Sequence, residues 1–269
     1  MVGERDETGY FASSIVGWYG HPDLKVTQVE RRTGDGAFPV PERDVLYAAR
    51  TVTIGVTMRA ASRGRVLALV EGLLALQGRS LTAEVQDDQR ATAATGYARV
   101  EVSDGMHAGG ATATVTVVCP DPRRYGTVPH TGVMVPPSAS GVGGLVWGPS
   151  ALRWPIDWGP QAASRSLCTT VNDGTATAYP TISVSGSMPR GFAVTDQATG
   201  LQLSYRRPVS WQPVVIDCLS RTASVAGVDV TRYLAARHFP SVAPGGSLTL
   251  SLTASGSGAA TVEVRDTYI

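Results

Sequence analysis

Two prolines one residue apart constrain this chain more than any other feature. In the stretch Val118-Cys119-Pro120-Asp121-Pro122-Arg123-Arg124-Tyr125-Gly126, both prolines fix φ and lack a backbone donor. The alternating run Thr112 to Val118 must therefore leave its sheet here, and one folded unit ends where another begins. At 269 residues the chain sits at the upper edge of what a single core serves, so length agrees with the cut. We expect an N-terminal domain over 1–127, a crossover segment over 128–160 and a C-terminal domain over 161–269.

Periodicity gives each half a character. Val52, Ile54 and Val56 alternate with Thr51, Thr53 and Thr57, the pattern of a half-buried strand. Behind it, Val66, Leu67, Leu69, Val70, Leu73, Leu74 and Leu76 recur at helical spacing. Ser62 is placed as N-cap and Gly78 beyond the last turn, which predicts a helix over 62–77 whose leucine face docks on the sheet. Further strands near Leu81 to Val85, Ala98 to Val102 and Thr112 to Val118 complete a mainly β first half, a split β-barrel carrying one α-helix. The second half is strand and turn at short spacing, from Arg165 to Thr170 through Ala260 to Val264, which predicts a β-sandwich. Between them Trp147, Trp154 and Trp158 lie in a Pro- and Gly-rich crossover and are expected to pack against a domain or a neighbouring subunit.

The totals exclude several functions. A net charge of +1 gives no electrostatic footprint for sequence-specific nucleic-acid binding. No apolar stretch has the length of a membrane span, and the charged start Met1 to Glu7 is unlike a signal peptide, so synthesis and folding in the cytoplasm are expected. Cys119, Cys168 and Cys218 are far apart and read as buried free thiols. There is no phosphate-binding loop, dinucleotide fingerprint or nucleophile elbow. His21, His107, His130 and His238 fall in separate segments without metal-ligand spacing. Asp87, Asp88, Asp104, Asp196 and Asp217 offer carboxylates for a glycosidase-like pair, but nothing in the sequence brings two of them together. We therefore expect no catalytic, cofactor or metal site.

The order of local patterns carries more. Gly17-Trp18-Tyr19-Gly20, the Gly34-Asp35-Gly36 turn, the strand and helix from Arg50 to Leu76, and the Cys119 to Gly126 exit follow one another as in the ring-forming half of distal tail proteins. Gly143-Gly144-Leu145, Asn172-Asp173-Gly174-Thr175, Tyr179-Pro180-Thr181-Ile182, Val215-Ile216-Asp217-Cys218, Pro244-Gly245-Gly246 and Val264 to Tyr268 continue that order. Across essentially its whole length the chain resembles the distal tail protein (Dit) family of long-tailed, non-contractile phages, in particular those of actinobacteria.

The resemblance implies a tail-tube-like first domain, a galectin-like sandwich, and a structural, non-enzymatic role at the virion's tail tip. It also implies a homo-oligomeric ring of six copies, bounded by the tail tube protein on one face and by tip (Tal-like) and tape measure proteins on the other. DNA and the tape measure would pass through it. A closed ring needs two different patches on every subunit. The irregular stretch Pro22 to Asp44 is the candidate for one, and Asp35, Arg43, Arg123, Arg124, Trp147 and Trp154 are candidate interface residues. The alternative is a carbohydrate-binding adhesion module, for which Tyr205, Arg206, Arg207 and Trp211 are candidates, although Trp211 beside a strand reads more simply as core.

Overall fold

The computed structural model describes residues 8–27, 29–41, 45–103, 105, 109–137 and 166–269. The chain divides into two compact units, 1–125 with residue 269, and 126–268.

The first unit is an antiparallel sheet built from β1 (Gly9–Val16), β4 (Arg50–Arg59), β5 (Ser80–Gln86), β6 (Ala91–Val102) and β7 (Gly110–Cys119). They pair in the order β1-β4-β7-β6, with β5 and the short β8 (Arg124–Gly126) both pairing β6, and the sheet curls into an open half-barrel. Two short strands, β2 (Leu24–Lys25) and β3 (Leu46–Tyr47), pair with each other at the base of the long β1 to β4 connection, and β8 follows the Pro-Asp-Pro turn. The helix α1 (Arg63–Leu74) begins where predicted, with the Ser62 hydroxyl facing the Arg65 N–H at 3.5 Å. It ends earlier than predicted, because the Leu76 and Gln77 N–H groups bond three residues back and tighten the last turn. Gly78 lies beyond this turn at φ +71°.

The docked face of α1 differs from the expected leucine face. Val66, Val70 and Leu73, spaced i, i+4 and i+7, are buried with Val52, Met58, Val115 and Val117, whereas Leu67, Leu74 and Leu76 remain exposed. Six large apolar residues in the helix and Leu76 in the turn after it exceed what a single stripe can bury, so three face outward.

The second unit is a sandwich of two antiparallel sheets. One is five-stranded, ordered β10 (Leu167–Asn172), β18 (Gly246–Ala254), β12 (Phe192–Asp196), β13 (Gln202–Tyr205), β17 (Leu234–Arg237). The other is six-stranded, ordered β16 (Val228–Asp229), β15 (Thr222–Val225), β14 (Val214–Asp217), β11 (Thr181–Ser187), β19 (Ser257–Val264), β9 (His130–Met134). The segment expected as a crossover thus starts with a strand, β9, paired along β19 from Met134–Ala260 to His130–Val264. From residue 138 on, including Trp147, Trp154 and Trp158, the segment falls outside the described residues. A 3₁₀ turn at Thr231–Tyr233 is followed directly by β17. Ile182, Val184, Ile216, Leu250, Leu252 and Val262 fill the space between the sheets. All three cysteines are free and buried.

Asn172 closes this sandwich. Fully buried, its amide nitrogen donates to the carbonyls of Ala176 (2.9 Å), Val242 (3.3 Å) and Ala243 (3.2 Å). Its Oδ1 accepts from the Gly174 N–H at 3.0 Å and the Thr267 N–H at 3.1 Å, joining the start of the unit to its last strand, β20 (Thr267–Tyr268). Gly174 is obligatory here, since a Cβ would stand 2.1 Å from the Thr267 carbonyl oxygen. We predict that Asn172→Ala destabilises the second unit by about 3 kcal/mol, because two N–H groups and three carbonyls lose a buried partner together. Urea unfolding followed by hydrogen exchange at β10 and β18 checks this, and a loss below about 1 kcal/mol would show that water replaces the amide.

Candidate assembly surface

The geometry of the first unit is set by one cation. Arg50 opens β4 and is buried (1% exposed), yet no carboxylate among the described residues pairs with it. Its charge is met by main-chain oxygens: Nη1 donates to the carbonyls of Gly17 (2.8 Å), Trp18 (2.9 Å) and Gly20 (2.8 Å), and Nε donates to the Pro122 carbonyl (2.8 Å). Burial, followed by the neighbouring Arg124 charge, lowers its pKa from the usual guanidinium value. The Gly17-Trp18-Tyr19-Gly20 and Cys119 to Gly126 motifs are therefore two sides of one knot. Gly17, at φ +82°, would place a Cβ 2.1 Å from the Thr51 carbonyl oxygen, which excludes any side chain. Trp18 is wholly buried, with the Arg124 guanidinium 5.8 Å from its ring centroid.

The Pro-Asp-Pro turn is locked from inside as well. The Asp121 carboxylate accepts from the Arg123 N–H at 3.0 Å and from the Tyr125 hydroxyl at 2.5 Å, and lies 3.5 Å from the Arg123 guanidinium. Burial first, then the Asp121 partner, pushes the Tyr125 phenol well above its ordinary range. Of the six residues picked from sequence, Arg124 is buried, Arg123 is half-buried beside Asp121, and Asp35 is exposed. Arg43, Trp147 and Trp154 lie outside the described residues.

Asp35 sits at the tip of an arm. From β2 and β3 at its base, where the Ala48 N–H donates to the Asp23 carbonyl and His21 stacks on Tyr47, the chain runs out to a bridge between Glu30 and Ala37. Arg31 N–H to Gly36 and Phe38 N–H to Val29, both 3.0 Å, zip the tip. Within Pro22 to Asp44, expected as irregular chain, the described residues thus include β2 at the base and a short antiparallel tip around the Glu30–Ala37 bridge. The turn glycines Gly34 and Gly36, at φ +89° and +81°, were its signal. Leu24, Val29, Phe38 and Leu46 are each more than half exposed along it. The arm presents an apolar surface that has no cover among the described residues of its own unit.

The sheet has a second unfinished feature. β1 pairs only β4, and β5, a branch on β6, pairs only β6, so among the described residues each offers one row of unpaired ladder groups. The two edges differ in sequence and shape, β1 being broken by a register shift between Ala12 and Ser14.

Three of the five carboxylates considered for catalysis have structural uses, and Asp104 lies outside the described residues. Asp87 accepts from the Tyr19 hydroxyl at 2.7 Å, and Asp217 caps the Leu219 to Ser220 turn. Asp196 caps the β12 to β13 turn through the Ala198 N–H (3.0 Å) and the Thr199 hydroxyl (2.8 Å). His130, Asp173 and Asp266 could supply three ligand atoms within 4.8 Å of one another. One Asp266 oxygen, however, already accepts the Asp173 N–H at 2.8 Å and faces His130 Nε2 at 3.0 Å, closing the turn before β20.

No protein-family model and no curated protein matches this chain. Among solved structures, it is similar to Dit (gp 19.1) of phage SPP1, described as a paradigm of the hub adsorption apparatus in phages infecting Gram-positive bacteria. The TM-score is 0.61 at 13% identity, covering 97% of this chain and 94% of that one. It is also similar to chains of the phage p2 baseplate in its activated conformation, with Sr (TM-score 0.54, 10% identity, 95% and 90% covered) and with Ca (0.52, 9%, 91% and 87%). The chain thus shares the fold of SPP1 Dit.

Two predictions follow from the internal geometry. Arg50→Met leaves four carbonyls without their donor, that of Trp18 buried, and should destabilise the first unit by about 3 kcal/mol, read as lost hydrogen-exchange protection over Val52 to Val56. Unchanged protection would contradict the role given to Arg50. Burial alone would raise the Asp196 pKa, but the Thr199 hydroxyl, the Ala198 N–H and His238 outweigh it and bring the value below the ordinary one. A depressed folded pKa contributes stability above the ordinary carboxylate range, lost as pH falls through the folded value. The unfolding temperature should therefore fall below about pH 4, and Asp196→Asn should flatten that acid limb.

Proposed function

We propose that this protein is a structural component of a long non-contractile phage tail, a distal hub whose first units associate into a closed ring of six copies. The observation that carries the reading is the open half-barrel, whose two unlike edges, β1 and β5, each leave one row of ladder groups unpaired among the described residues. A subunit with two different sticky edges associates head to tail, and such contacts close into a ring when the rotation permits. The exposed hairpin arm supports it, since Leu24, Val29, Phe38 and Leu46 gain cover only from a neighbour.

The shared fold with SPP1 Dit and the p2 baseplate chains is the reason to place the ring at the virion tail tip. There it would meet the tail tube protein on one face and the tip and tape measure proteins on the other, and pass DNA through its bore. Asp35, Arg43, Trp147 and Trp154 remain candidates for the subunit contact, whereas Arg123 and Arg124 would act by fixing the turn beside it. The role is architectural and involves no catalysis.

Electron microscopy of the purified protein, and of assembled tail tips, should show closed rings. Phe38→Asp combined with Leu46→Asp should abolish them while circular dichroism and thermal unfolding stay unchanged. Rings that persist in the double variant would remove the arm from the interface, and tail tips without a ring of this chain would overturn the hub reading.

A further inference from the structure

One end of the sandwich gathers arginines from three separate segments. Arg190 lies in the turn between β11 and β12, Arg206 and Arg207 open the loop after β13, and Arg232 lies in the 3₁₀ turn. The segments are held side by side. The Met188 and Val209 main chains exchange two hydrogen bonds of 3.0 and 3.1 Å, the Gly186 N–H donates to the Ser210 carbonyl at 3.2 Å, and Gly191 lies against the Tyr205 and Arg207 carbonyls.

Tyr233 organises the charges. Its half-buried ring carries the Arg207 guanidinium 4.7 Å and the Arg232 guanidinium 4.8 Å from its centroid, and Arg232 also donates to its hydroxyl at 2.8 Å. The ring is seated from below, edge-on to the buried Tyr205 at 6.5 Å, which stacks on Phe192. Two cations held on one ring repel each other, and the aromatic face offsets only part of that cost. None of the four arginines has a carboxylate at ion-pair distance among the described residues. The neighbouring Asp229 uses one oxygen on the Thr231 N–H at 2.8 Å. In a chain of net charge +1 this is a local concentration of cations that Asp229, near Arg232 but not ion-paired with it, only partly offsets.

Trp211 adds a second kind of contact. Sequence reasoning favoured it as core beside the β14 strand, but it is 82% exposed on the same strapped loop, four residues after Arg207. A flat aromatic surface held out on an ordered loop can stack on a sugar ring. Guanidinium forks can grip carboxylate or phosphate groups in two-point geometry.

We propose that the Arg190, Arg206, Arg207, Arg232, Tyr233 and Trp211 surface binds an anionic polysaccharide, its charges on the guanidinium groups and a sugar face on the indole. Fixing Arg207 and Arg232 on one ring removes ordering cost before the ligand arrives. This surface belongs to the second unit alone, so the proposal stands or falls independently of ring formation.

The test uses the full-length protein and immobilised polygalacturonate, poly(glycerol phosphate) and dextran. Retention on one or both anionic polymers and not on neutral dextran is expected, weakening as salt screens the contact. Which polymer is held distinguishes carboxylate from phosphate recognition. Arg207→Ala with Arg232→Ala should weaken retention about tenfold or more, as should Trp211→Ala, with unfolding midpoints unchanged. Arg99→Ala, removing a charge paired with Glu101 in the first unit, should leave retention intact. No retention on either polymer, or equal retention by the double variant, would overturn the proposal. Equal retention on duplex DNA would reduce the surface to a general polyanion site. Binding of an acidic tail protein through these residues, without any polymer, would assign it to a protein partner; either result overturns glycan recognition.

Discussion

The first unit depends on a buried guanidinium that is neutralised by main-chain carbonyls instead of a carboxylate. A planar group with several donors in fixed directions can join three separate pieces of backbone, which an ammonium group on a flexible stem cannot do with the same geometry. Arg50 uses that property to tie the turn after β1 to the start of β4 and to the Pro122 carbonyl where the chain leaves the sheet. The prolines end the β7 ladder because they lack donors. The carbonyl that Pro122 still offers is then used to hold the exit in place. Termination and anchoring thus come from the same short segment.

The second unit reaches a similar end with a neutral group. Asn172 has two donors and one acceptor oxygen, and all of this capacity is used on backbone near the start and the finish of the unit. In both units a polar side chain with almost no exposure fixes irregular chain that hydrophobic packing alone would leave without direction. The sheets supply most of the apolar burial, and these two residues determine how the connecting segments run between strands.

The sequence made the elements legible where one periodicity dominated. The alternation in β4, the helix start at Ser62 and the end of β7 at Pro120 could be read because each rests on local chemistry. The docked face of α1 could not, since seven apolar residues give no unique stripe and the sheet chose Val66, Val70 and Leu73. Strand β9 was hidden in a segment whose composition spoke of a crossover, and its pairing with β19 spans more than a hundred residues that no local pattern encodes. The arm was visible only as a Gly34-Asp35-Gly36 turn. Arg50 gave no sign at all, because nothing local marks an arginine whose partners are distant carbonyls.

The two surfaces left unfinished differ in chemistry, and the difference assigns their roles. The hairpin arm and the β1 and β5 edges offer apolar side chains and unpaired ladder groups, which only another protein surface can cover without leaving polar groups unsatisfied. The Tyr233 surface offers cations and an exposed indole, on which hydrated, charged and conformationally loose polymers can be held contact by contact. Association through the arm would be nearly insensitive to salt, whereas binding at the arginines would weaken as screening shortens the reach of each charge. A tail-tip protein would need that distinction. Its own assembly must survive any ionic environment that the particle meets, while its grip on a surface must remain reversible until a productive attachment is found.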